Sequence, residues 1–198
     1  MNKIVSKLFL VGVLGLSNLN ASEILFDLRA QDYSNTLTNN SIMSKYKIND
    51  NVILETNINK SSKGFYYIKN QGIKGVLTLN VKSPITNWKY DLDIEYIDSS
   101  TEKRVIVFSD KIGENITMEF YPDGFTINAK EYKAEIAKQH LIINITKDLN
   151  NFTVTINGQK VHTSQIKFGI LKSVTADILQ SNIYNFDKLN NIILVSND

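Results

Sequence analysis

Residues 88–97 read WKYDLDIEYI, and from Trp88 to Tyr96 polar and apolar side chains alternate without a slip. A period of two is the repeat of a β-strand, whose successive side chains point to opposite faces. Trp88, Tyr90, Leu92, Ile94 and Tyr96 therefore line a core, while Asp91, Asp93 and Glu95 stand in a row on the other surface. Neighbours in such a row are about 7 Å apart, close enough for like charges to repel one another. A row that works against its own strand is the first candidate for function.

The same texture continues on both sides. Short β-branched and aromatic runs predict strands at Glu23–Leu28, Val52–Thr56, Phe65–Lys69, Val76–Val81, Tyr90–Ile97, Arg104–Ser109, Ile116–Tyr121, Phe125–Asn128, Leu141–Thr146, Phe152–Ile156 and Ile192–Val195. Turn residues separate several of them. Pro122-Asp123-Gly124 and Asn157-Gly158 each predict a hairpin, with glycine supplying the positive φ that tight turns need. The only candidate helix is Lys130–Lys138, about two turns long, and Lys172–Asn185 suits a helix nearly as well as a bent strand. With two prolines in the whole chain, this pattern predicts an all-β jelly-roll sandwich of two antiparallel sheets, with at most one or two short helices.

The beginning of the chain reads as an export signal. Lys3 and Lys7 precede the apolar run Leu8–Leu16, and Ser-Asn-Leu-Asn-Ala follows, ending at Ala21. The run is shorter than the roughly 20 residues that span a bilayer, so residues 1–21 are expected to be a signal peptide cleaved after Ala21, and the protein periplasmic or secreted. Loss of Lys3 and Lys7 takes the 22 basic residues to 20, against 20 acidic ones. A neutral chain lacks the electrostatic footprint of a nucleic-acid or anionic-membrane binder. There is no cysteine, which excludes disulfides, thiolate metal sites and a cysteine nucleophile. Residues 22–198 are one domain's worth of chain with no linker composition, transmembrane segment or repeat. No serine nucleophile elbow, phosphate loop or dinucleotide fingerprint occurs. His140 begins an apolar strand and His162 follows a hairpin, and two histidines alone make no zinc site.

The stretch from Trp88 to Tyr96 resembles the catalytic strand of the family 16 glycoside hydrolases, whose pattern is Glu-aliphatic-Asp-aliphatic-Glu on one strand of a concanavalin A-like jelly roll. Residues 152–162, FTVTINGQKVH, are similar to the strand, Asn-Gly turn and strand that recur late in that superfold, in glucanases and in laminin-G-like and legume-lectin-like binding domains. Residues 184–194, YNFDKLNNIIL, resemble its closing strand. The resemblance implies the concanavalin A-like fold. As an enzyme, it would imply a retaining β-glucanase with Asp91 as nucleophile, Asp93 as electrostatic neighbour and Glu95 as general acid/base. This chain departs from the pattern at Asp91, one methylene shorter than the family's glutamate. Positions four apart on a strand are about 13 Å apart at Cα, and a retaining pair works at about 5–5.5 Å between carboxyl groups, so the shorter side chain strains that geometry.

The reading these residues support is a noncatalytic module in which Asp91, Asp93 and Glu95 bind a glycan or an envelope protein, accepting hydrogen bonds from sugar hydroxyls or pairing with a basic partner. Alternatives remain open at this level. The row is a solvated strand face if cross-strand cations such as Lys103 and Arg104 oppose it. Calcium favours such hard oxygen ligands, with Asp98 able to bend in, but a straight strand spreads its carboxylates too widely for one ion, and no metal site is assigned. A structural envelope subunit would use sheet edges for strand addition. Trp88 shares its parity with Tyr90 and reads as core rather than as a sugar platform, while Phe65, Tyr66 and Tyr67 include at least one outward ring.

Overall fold

The computed structural model describes residues 22–29, 41–43, 47–56, 65–68, 72–74, 76–95, 104–121, 123–133, 140–177 and 188–198. Among them are seventeen strands and no helix. They are β1 (Glu23–Arg29), β2 (Ser41–Met43), β3 (Lys47–Ile48), β4 (Val52–Thr56), β5 (Phe65–Ile68), β6 (Gly72–Lys74), β7 (Val76–Val81), β8 (Trp88–Glu95) and β9 (Arg104–Asp110) in the first half. The second half adds β10 (Asn115–Tyr121), β11 (Gly124–Ile127), β12 (Lys130–Lys133), β13 (His140–Asp148), β14 (Asn151–Ile156), β15 (Gln159–Gln165), β16 (Leu171–Asp177) and β17 (Lys188–Ser196). The expected leader, residues 1–21, lies outside the described residues, as do Tyr96, Asp98 and Lys103. No helix among the described residues is long and apolar enough to cross a membrane.

Two antiparallel sheets form the sandwich. One runs β15-β14-β13-β8-β17-β6-β5-β2, with β1 alongside β17 and β3 on β1; the other runs β12-β11-β10-β9-β16-β7-β4. The strand that opened the reading, β8, sits in the middle of the first sheet between β13 and β17. Its apolar parity faces the second sheet, as the alternation predicts. Trp88, Tyr90, Leu92 and Ile94 are all buried. Trp88 stacks on Phe108 of β9 with ring centroids 4.8 Å apart, and Phe152 and Phe168 meet it edge-on. Tyr90 meets the same Phe108 ring at 87°. Offset and edge contacts of this kind add about 0.5–1.5 kcal/mol each beyond the area they bury, and those to Phe108 tie β8 to β9 across the sandwich.

Hairpin chemistry is visible at both turns that the sequence predicts. Asn157 and Gly158 have φ of 49° and 79° between Ile156 and Gln159, the two-residue turn that the Asn-Gly pair predicts. At Pro122-Asp123-Gly124 the hairpin forms, but glycine serves another purpose. Gly124 is already in β11 opposite Tyr121, and a Cβ there would collide with the backbone carbonyl oxygen of Tyr132 on β12. The need is for close approach of two strands rather than for positive φ.

The expected helix at Lys130–Lys138 is absent where the structure describes it. Asn128 and Ala129 take φ of 48° and 64°, which reverses the chain so that Lys130 pairs with Ile127 and residues 130–133 become the edge strand β12. A helix-forming composition yields to a turn that delivers the segment to an open sheet edge. Residues 134–139 lie outside the described set. In the ambiguous stretch from Lys172, residues up to Asp177 belong to β16, paired with both β7 and β9; residues 178–187 lie outside the described set. Arg104 is a further correction. It does not oppose the acidic row: it begins β9 in the other sheet, opposite Phe120, and is 1% exposed.

Candidate functional site

The acidic row occupies the outer face of β8, and its environment is set by register. From β13, Asn144 stands opposite Asp91, Ile142 opposite Asp93 and His140 opposite Glu95. From β17, Ile193 stands opposite Asp91, Asn191 opposite Asp93 and Lys188 opposite Glu95. For Glu95 the structure describes this backbone position at the end of β8 and not the carboxylate.

Asp91 is held on both oxygens. The Asn144 amide donates to Oδ1 at 2.7 Å, and Lys89, two residues earlier on the same face, reaches Oδ2 at 2.8 Å. Asn144 is itself oriented by Thr155 of β14, whose hydroxyl donates to its Oδ1 at 3.1 Å. That makes a chain of side chains across three strands, Thr155 to Asn144 to Asp91. Asp93 has a parallel arrangement. His140 Nε2 lies 2.6 Å from Oδ1, and Asn191 Nδ2 donates to Oδ2 at 3.4 Å. The Asn191 side-chain oxygen Oδ1 is buried with no partner among the described residues.

Repulsion along the row is thus answered by Lys89 on the same strand, an imidazole and two amides. Asp91 and Asp93 stay 24% and 22% exposed, enough for a ligand to reach their carboxylates. The face is not wholly polar, since Ile142 is 45% exposed beside Asp93. Both carboxylates are fixed in direction before any ligand arrives. Such a surface offers fixed acceptors interleaved with N–H donors, the combination that vicinal hydroxyls engage.

Of the residues singled out from sequence, Asp91 and Asp93 are brought together on one strip, and Trp88 is withdrawn into the core at 0% exposure. Phe65, Tyr66 and Tyr67 lie on β5, separated from β8 by β17 and β6 in the sheet order. Asn144, Thr155, Asn191 and the role of His140 were not foreseen. Lys89 was legible, because it shares the parity of Asp91; the others enter only through pairing with β13, β14 and β17. Among the described residues no group of three or more His, Cys, Asp or Glu side chains converges as a metal site would require.

His162, the other histidine, sits at the sandwich edge. It shares a hydrogen bond through Nδ1 with the Tyr132 hydroxyl and lies 2.9 Å from Ser164 Oγ through Nε2. Since Tyr132 is on β12 and His162 on β15, this contact joins the edge strands of the two sheets. Burial, with Lys130 adding to it, pushes the His162 imidazole below its ordinary pKa.

Sheet order, aromatic core and outer strip together define a concanavalin A-like β-sandwich. Among solved structures, the chain is similar to an apo Crh5 transglycosylase, with a TM-score of 0.52 and 8% identity over 79% of this chain and 82% of that one. It is similar to the same transglycosylase in complex with NAG, with a TM-score of 0.51 and 8% identity over 80% of this chain and 86% of that one. A sialidase mutant of Trypanosoma rangeli displaying trans-sialidase activity aligns with a TM-score of 0.53 and 9% identity over 88% of this chain, which spans 30% of the sialidase. At such identities the likeness is one of fold. No protein-family model matches the sequence, and no curated protein matches it.

Proposed function

We propose that this chain is an exported, noncatalytic module that recognises a glycan through the outer face of β8, with Asp91, Asp93 and Glu95 at its centre. The observation that carries this reading is the double engagement of Asp91. Its Oδ1 is held by Asn144 and its Oδ2 by Lys89, so the residue that would have to attack a sugar is an immobilised, ion-paired acceptor. The Lys89 ammonium and the Asn144 amide stabilise the charge on this carboxylate and so weaken it as a nucleophile, whereas a hydroxyl acceptor needs only direction and partial exposure. The alternation Asn144, Asp91, Asp93, His140 and Asn191 supplies donors and acceptors at fixed positions, which lowers the ordering cost of binding. The transglycosylase of similar fold was solved in complex with NAG, which is consistent with a sugar ligand on a sandwich of this class. Export rests on the leader read in residues 1–21.

A glycan-array screen of the full chain tests the reading, run beside the Asp91→Asn/Asp93→Asn double variant and Glu95→Gln, with a reducing-end assay on any glycan that binds. The expected result is binding by the wild type, loss in the double variant and no release of reducing ends. Reducing ends that Glu95→Gln abolishes would replace this reading with a retaining hydrolase, and an absence of binding to every glycan would remove the sugar altogether.

A further inference from the structure

The Asn157-Gly158 turn reaches the acidic row through one residue. β14 pairs with β13 from Asn151 opposite Asp148 to Ile156 opposite Ile143, and there the ladder stops. β13 itself begins at His140, so His140, Leu141 and Ile142 extend beyond the last β14 partner. Asn157 takes the place of the missing strand. Its backbone N–H donates to the Ile142 carbonyl oxygen at 2.8 Å, its Oδ1 accepts the Ile142 N–H at 2.8 Å, and its Nδ2 donates to the His140 carbonyl oxygen at 3.1 Å. Groups two residues apart on a strand point to the same side, which is why one side chain serves both.

Two demands meet at this position. The turn needs a positive φ, 49° here, which glycine and asparagine tolerate better than other residues. The start of β13 needs a donor and an acceptor on one short side chain, and only a carboxamide supplies both. Glycine would meet the first demand and not the second.

The residues held in this way flank Asp93. Ile142 stands opposite it in the β8–β13 register, and His140 Nε2 lies 2.6 Å from its Oδ1. An ionised carboxylate only accepts hydrogen bonds, so the imidazole carries its proton on Nε2. The His140 side chain is 53% exposed, too open for packing alone to fix it, and its direction follows from where the backbone at the start of β13 is tied. Asn191 reaches the other Asp93 oxygen at a longer 3.4 Å, which makes the imidazole the closer of these two restraints.

We propose that Asn157 is a positioning residue for the acidic row: standing in for β14 at the start of β13, it keeps the His140 imidazole on Asp93 and so fixes that carboxylate for its ligand. This rests on the reading of the row as a glycan site, but its test begins without a glycan. Imidazole nitrogen signals of the full, isotopically labelled chain at neutral pH show which ring nitrogen carries the proton and whether it is bonded. Asn157→Gly keeps the turn and removes the carboxamide, and Asp93→Asn is the reference for an imidazole that has lost its carboxylate. The expected result is that Asn157→Gly moves the His140 signals most of the way to those of Asp93→Asn, while the signals of His162, on the other strand of the same hairpin, and the amide dispersion stay as in the wild type. On any glycan that the array identifies, Asn157→Gly should bind about fivefold or more weakly. His140 signals unmoved in Asn157→Gly would overturn the proposal, even beside a lower melting temperature, since that is what a merely structural role predicts. Undiminished glycan binding in Asn157→Gly would overturn it too. An array without a binder would remove the glycan reading and leave the His140 signals to decide whether Asn157 holds the imidazole.

Discussion

Replacing Asp110 by asparagine should destabilise the protein far more than its position at a strand end suggests. Asp110 is 1% exposed. Its Oδ1 accepts the backbone N–H groups of Ile112 and Glu114, each at 2.9 Å, and its Oδ2 accepts that of Gly169 at 2.8 Å. One carboxylate therefore ties the β9–β10 turn to the segment that leads into β16. Burial alone would push the carboxyl up, but the N–H donors of Gly169, Glu114, Ile112 and Gly113 outweigh it and hold the pKa below its ordinary 3.8. An asparagine keeps the shape and turns one acceptor into a donor. Its best orientation leaves the carbonyl on Ile112 and Glu114 and points Nδ2 at the Gly169 N–H. A charge-assisted bond worth about 1.5–3 kcal/mol is lost and a buried N–H is orphaned, terms that overlap to a total of about 3 kcal/mol. With a urea m-value near 2 kcal/mol/M, the midpoint should fall by about 1.5 M, and Tm by roughly 6–12 °C. Urea denaturation followed by tryptophan fluorescence reads this directly, because Trp88 is the only tryptophan and lies in the core. A midpoint shift under about 0.5 M would refute the reasoning. A second arm checks the sign. A carboxyl whose folded pKa is depressed contributes stability above its unfolded pKa and loses it as pH falls through the folded value. The wild type should therefore lose stability more steeply than Asp110→Asn below about pH 4.

His162 has its folded pKa lowered from 6.5, so the unfolded chain binds its proton more readily. Its contribution to stability should be complete above about pH 6.5 and decline as pH falls from there toward the folded pKa; a Tm series from pH 7.5 to 5 should show this decline in the wild type and not in His162→Phe, and equal slopes would contradict it. Gly124→Ala should cost about 2–4 kcal/mol, because the new methyl meets backbone rather than a movable side chain; thermal melts within 1 °C of wild type would mean that β12 yields freely.

What a strand shows by itself is local: the two-residue period of residues 88–97 placed Trp88 and Tyr90 in the core and Asp91 and Asp93 on the surface, and Asn157-Gly158 wrote its own turn. Lys89 as the partner of Asp91 was within reach of the same parity. The predicted all-β sandwich rests on many such local signals agreeing, and the sheets that form are those of that architecture. Pairing between strands is not local. Asn144 meets Asp91 across 53 residues of sequence and Asn191 meets Asp93 across 98, and no periodicity within either segment chooses the register that brings them together. Edge positions escaped for a related reason: residues 130–133 have a helix former's composition, yet an open sheet edge and a two-residue reversal at Asn128-Ala129 make them β12. Gly124 looked like a turn glycine because its neighbours are turn residues, and only the carbonyl of Tyr132 on the next strand reveals that it is there to let two backbones meet. The sequence alone determined which faces are buried, since that depends on each strand's own alternation; tertiary structure decided which polar groups hold the acidic row, because hydrogen-bond partners are chosen by the register between strands.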